Sequence, residues 1–215
     1  MLSRNNLGSV RLTWSNLDPK EMVWSHLHVE TDAMRYRRAL PMSRQAADKT
    51  EYVISGIPAG RREIVLGSGR GVFLAALAGN EGDTKLHFDG GKTARVKARV
   101  VDQQGQPLLD AALKIESTTM PHARFEWSVE PLTRELEVTL PRTHKYVHIA
   151  ADGTHTLPAC GPGKYRVHVS RGDIRIKKKW SEPVVLDLAA GDEVLLEAKQ
   201  RADGTFELKR KEDGP

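Results

Sequence analysis

The chain has 215 residues, 39% of them hydrophobic and 28% charged, a composition that excludes wholesale disorder. Its 33 Lys+Arg against 28 Asp+Glu give a formal charge of +5, spread along the chain and too modest to point to nucleic acid. The single Cys160 excludes an intrachain disulfide framework, and no apolar run approaches the ~18 residues a membrane-spanning helix needs.

The beginning, Met1–Val10, carries no apolar signal-peptide core. Val10, Leu12 and Trp14 then alternate with Arg11 and Thr13, the period-2 pattern of a half-buried strand with Trp14 facing inward. Asn16–Pro19 reads as a turn, and Val23–Val29 returns to β-formers. From Thr31 to Lys49 the chain is polar, contains Pro41 and carries Arg35, Arg37, Arg38 and Arg44; it reads as a long loop with a helical turn over 33–39. Residues 50–66 predict strand, turn and strand, with Pro58 presetting φ and Gly60 tolerating a positive φ. Val72–Leu77 is a continuous apolar run suited to a central strand. Leu86 and Phe88 face inward from the next strand, and Val96, Ala98 and Val100 alternate with Arg95, Lys97 and Arg99.

Residues 103–106 predict a hairpin turn around Gly105, followed by Pro107 at a strand start, where its missing N–H costs least. Strands are expected over 112–116, 124–129, 135–140, 145–150, 154–157, 164–170, 174–180, 184–188, 193–198 and 205–209. Two Asp-Gly pairs, Asp152-Gly153 and Asp203-Gly204, mark hairpin turns. No segment keeps a 3.6-residue apolar period over three turns, so the expected class is all-β.

One stretch occurs twice. Setting Gly60 on Gly163 aligns residues 54–66 with 157–169 at an offset of 103. Ile54 then falls on Leu157, Ile57 on Cys160, Arg61 on Lys164, Ile64 on Val167 and Leu66 on Val169; Pro162 and Gly163 make the second turn. This spacing favours two domains of about 100 residues, over 8–95 and 96–210. One-faced alternation in strands such as 135–140 and 164–170, with many Gly/Pro turns, fits two tandem antiparallel β-sandwiches better than a closed barrel.

Residues 96–113 resemble the opening hairpin of carboxypeptidase regulatory-like domains, a transthyretin-like group of β-sandwiches. The apolar strand is followed by Asp102, Gly105, Pro107 and the small pair Ala111–Ala112. Residues 157–169 are similar to a second element of that family, with Cys160, Gly163, Tyr165 and Val167 in register. The resemblance covers residues from about 94 to 200; the first half of the chain shares only its later part, where Arg62 stands in place of the aromatic residue. It implies a non-catalytic accessory or binding module without a cofactor, in a modular, exported bacterial protein, taking a protein or carbohydrate ligand. An extracytoplasmic location follows from the resemblance alone.

Other chemistries have candidate residues. Histidines two or four apart on a strand can share a metal; His26 with His28, and His144 with His148 and His155 as hairpin neighbours, form such sets and would make a metal-dependent enzyme or metal-binding protein. Solvent-facing strand histidines give the same pattern. A nucleic-acid-binding protein would use the basic strand face of Arg95, Lys97 and Arg99 with the clusters 35–38, 61–62, 177–179 and 209–211, but only Trp180 adjoins such a cluster for stacking. Solubilised outer faces explain these charges without nucleic acid. Arg171-Gly172-Asp173 matches an integrin-type triplet but is also ordinary turn chemistry. Cys160 occupies an apolar repeat position and reads as a buried thiol; Trp14, Trp24, Trp127 and Trp180 could stack on sugars only where exposed.

Overall fold

The computed structural model describes residues 7–16, 22–30, 35–39, 51–68, 72–79, 82–120, 124–128, 148–157, 159–171 and 179–211. All its regular elements among these are strands. They fall in two compact units, 1–93 and 94–215.

The first unit runs β1 (Leu7–Ser15), β2 (Met22–Glu30), β3 (Arg35–Ala39), β4 (Glu51–Pro58), β5 (Arg61–Ser68), β6 (Val72–Ala78) and β7 (Thr84–Asp89). One sheet has the order β4-β1-β7, and the other contains β6-β5-β2-β3. The β1–β7 pairing is parallel and the rest are antiparallel. Val10, Leu12, Trp14, Ile54, Ile57 and Phe88 from one sheet meet Val29, Ile64, Leu66, Leu74 and Ala78 from the other in one core. Two inward faces closing on each other are what a sandwich requires.

The second unit runs β8 (Arg95–Val101), β9 (Ala111–Ser117), β10 (Arg124–Ser128), β11 (His148–Ile149), β12 (Thr154–Thr156), β13 (Ala159–Cys160), β14 (Gly163–Arg171), β15 (Val184–Leu188), β16 (Glu193–Gln200) and β17 (Phe206–Arg210). Its sheets are β10-β9-β14-β15 and β11-β12-β8-β16-β17, with β8–β16 the parallel pair. Val96, Ala98, Val100, Leu113, Ile115, Val167, Val169, Leu186, Leu196 and Ala198 are buried. The strand order repeats that of the first unit: β12-β8-β16 stands for β4-β1-β7, and β15-β14-β9-β10 for β6-β5-β2-β3. In each unit the first strand lies parallel to a late one, a pairing that period-2 patterning does not encode.

The repeated stretch is the clearest local expression of this. Gly60 and Gly163 adopt φ of 140° and 149°, in the region that disfavours a Cβ. Tyr165 donates from its hydroxyl to the Gly161 carbonyl at 2.8 Å. At the matching place Arg62, fully buried, donates from Nε to the Pro58 carbonyl at 3.2 Å, and also reaches the Ile57 and Gly82 carbonyls at 3.3 and 2.9 Å. A guanidinium therefore performs the backbone-anchoring task of the phenol, its charge set against carbonyl dipoles.

The Asp-Gly turns form as expected. The Asp152 and Asp203 carboxylates accept from the Thr154 and Thr205 amides at 3.0 and 2.9 Å, and Gly153 and Gly204 take positive φ. At the 103–106 turn, Asp102 accepts from the amides of Gln104 and Gln106, and Pro107 bridges to Val101.

One expectation is corrected. The stretch read as a loop with a helical turn over 33–39 contains strand β3, paired antiparallel with β2 so that Arg35 lies level with Glu30 and Tyr36 with Val29. Cross-strand pairing overrides the local basic composition. Of the strand expected over 174–180, the described end, Lys179–Trp180, runs beside β14 outside the ladder. The expected strand over 135–140 lies outside the described residues.

Candidate functional surface

Of the members of the histidine sets, only His155 has a described side chain. His144 lies outside the described residues, and His148 has a described backbone only. Register puts His148 level with Thr156, and Ile149 level with His155. His155 itself is fully buried, its Nε2 3.1 Å from the Leu108 carbonyl and its Nδ1 without a hydrogen-bond partner among the described residues. Burial pushes its pKa down, against the Leu108 bond and the nearby Asp110. His26 and His28 lie on β2 with backbone described, level with Val65 and Glu63. Among the described residues no group of three His, Cys, Asp or Glu side chains is placed to hold a metal ion.

The basic row on β8 is answered by acid. Its parallel partner β16 sets Glu193 level with Arg95 and Glu197 level with Arg99, and Lys211 reaches Glu197 at 3.7 Å. On β17, Glu207 pairs with Lys209 and Arg201. This outer face is a mixed-charge lattice. Arg171, the described member of its triplet, pairs with Asp110 at 3.2 Å. Cys160 is buried, and desolvation raises its thiol to about 12. Trp14 is core, at 5% exposure.

A different group does converge, on the outer face of β9 and β14. Because side chains alternate, Lys114 and Glu116 face outward from β9 while Leu113 and Ile115 face the core. Antiparallel register sets His168 of β14 level with Lys114, and Arg166 level with Glu116. The Lys114 ammonium lies 3.2 Å from Glu116 Oε2, and His168 Nε2 lies 3.2 Å from Glu116 Oε1. His168 Nδ1 faces the Ser181 carbonyl at 3.1 Å. Trp180 closes over the group, its ring edge-on to His168 at 6.3 Å between centroids, with Lys114 Nζ 5.3 Å from the ring centre. Burial acts to raise the Glu116 carboxyl, but the Lys114 bond and charge, with His168, outweigh it and hold it below the ordinary range.

This cluster combines a carboxylate, an ammonium, an imidazole and an aromatic ring, with the exposed Arg166 beside it and Val185 61% exposed on the neighbouring edge strand β15. Alternation along β9 and β14 places Lys114, Glu116 and His168 on one face, but their convergence with Trp180 depends on the β9–β14 register and on the return of residues 179–181. Neither can be read along the chain.

No protein-family model and no curated protein matches the chain. Solved structures to which it is similar include a candidate cell adhesion protein from Bacteroides ovatus, at 11% identity and TM-score 0.35, over 94% of this chain and 95% of that one. Others are a Streptococcal ancillary pilin, at 12% identity and TM-score 0.28, and a leucine-rich repeat protein from Bacteroides thetaiotaomicron, at 12% identity and TM-score 0.27. Each alignment spans 93% of this chain, but only 64% of the pilin and 27% of the leucine-rich repeat protein.

Proposed function

We propose that the chain is a pair of non-catalytic β-sandwich modules that bind a protein or carbohydrate as part of an exported bacterial protein. The observation that carries this is the Lys114–Glu116–His168–Trp180 cluster on an outer sheet face. Charged donors and acceptors beside an aromatic ring, next to an exposed edge strand, are the chemistry protein and sugar surfaces engage. The Asp102 hairpin and the Tyr165 anchor support assigning the second unit to the carboxypeptidase regulatory-like group, as its sequence resemblance suggests.

The test is binding of the full chain to arrays of surface glycans and purified cell-surface proteins, alongside Trp180→Ala and Lys114→Ala. The reading predicts a ligand lost, by about tenfold or more, in correctly folded variants. A ligand bound equally by the variants would move the binding surface elsewhere, and turnover of an array compound would overturn the non-catalytic reading.

A further inference from the structure

His168 stands between two groups that can only accept. The Ser181 carbonyl has no hydrogen to give, and Glu116, held ionised by Lys114, has none either. A neutral imidazole has one N–H and would turn a lone pair toward one of these oxygens. Only the imidazolium donates to both.

The Ser181 end of this bridge belongs to a short strap. Ser181 N–H donates to the Val169 carbonyl at 2.8 Å, and its Oγ accepts from the Val169 amide at 3.0 Å. One residue on, Ser170 Oγ donates to the Lys179 carbonyl at 3.1 Å. The β14–β15 ladder ends at Val167 with Val184, so these contacts take over the next backbone groups on the β14 edge. Removing the strap would leave the Val169 N–H and C=O open to another strand.

We propose that His168 is a proton-operated latch that holds residues 179–181 on the β14 edge and lets them go on losing its proton. The charged groups around it are Glu116 and Lys114 from β9, Arg166 on its own strand, and Lys179 and Glu182 on and beside the strap. Arg124 and Glu126 of β10 lie level with Glu116 and Lys114. The bound form carries the proton, so the strap is docked at low pH and loosens as pH rises. This device stands whether or not the cluster to which His168 belongs binds a ligand.

The experiment is nitrogen NMR of the histidine rings in the full chain, with amide exchange at Ser181, each rate corrected for intrinsic exchange. Leu113, on β9 opposite Trp127 of β10, serves as the internal reference. Expected are two protonated nitrogens on His168 while the strap is docked, and Ser181 protection that falls about tenfold relative to Leu113 as the ring loses its proton. His168→Gln, which cannot donate to both acceptors and does not titrate, removes that pH dependence; Glu116→Gln removes one obligate acceptor and does the same. A neutral His168 ring with Ser181 fully protected, or the same pH dependence in both variants, would overturn the latch.

Discussion

Arg62 and Tyr165 occupy the same place in two copies of one turn, and each is tested by removing its donors. Tyr165→Phe leaves the Gly161 carbonyl without its hydroxyl partner and should cost about 1–2 kcal/mol in urea titration. Arg62→Met strips a donor from three carbonyls at once and should cost more, about 3 kcal/mol. Arg62→Tyr, which can still reach the Pro58 carbonyl, should fall between wild type and Arg62→Met.

His155 predicts a pH effect with a definite sign. Its folded-state pKa is depressed by burial, so the unfolded chain takes up the proton first and stability falls as pH drops through the ordinary imidazole range. Melting temperature measured from about pH 7 down to about pH 5 should decline, and His155→Gln, which keeps a donor for Leu108 but does not titrate there, should flatten the slope. Cys160, buried with its thiol raised to about 12, should react with a disulfide reagent only at the rate of unfolding. Labelling at the rate of a free thiol in the native state would contradict its placement.

Among the described glycines, Gly8 on β1 leaves the least room for a side chain. A Cβ at Gly8 would stand 1.9 Å from the Gly82 carbonyl, the oxygen that accepts from Arg62. Gly8→Ala must displace that carbonyl and should destabilise by about 1–3 kcal/mol in the same titration. Strands with a clean two-residue period were legible from sequence: Val10–Trp14, Val96–Val100 and Tyr165–Val169 all bury the faces their alternation assigns. Turns with Asp, Gly and Pro were legible for the same local reason. β3 was not, because Arg35–Ala39 gains its strand character from β2 across the sheet rather than from its own residues. The Lys114–His168 cluster was only half legible, since alternation gives the face but not the register that joins two strands 54 residues apart. Parallel β1–β7 and β8–β16 pairings were hidden likewise.

At the scale of the molecule, one strand order is built twice with different outer faces. In the second unit the β8–β16–β17 face is a lattice of opposite charges, whereas the β9–β14 face gathers its polar groups around a tryptophan. Paired surface charges of the first kind contribute little stability individually and serve solubility. The proposed function rests on the second face.

The proposed function, through the sequence resemblance, predicts a chain outside the cytoplasm. Fractionation of the native cells, combined with membrane-impermeant labelling of surface lysines, tests this most directly. The account predicts recovery in an extracytoplasmic fraction, with Lys164 and Lys209, both well exposed, labelled on intact cells. A protein confined to the cytosol and unlabelled until lysis would contradict it.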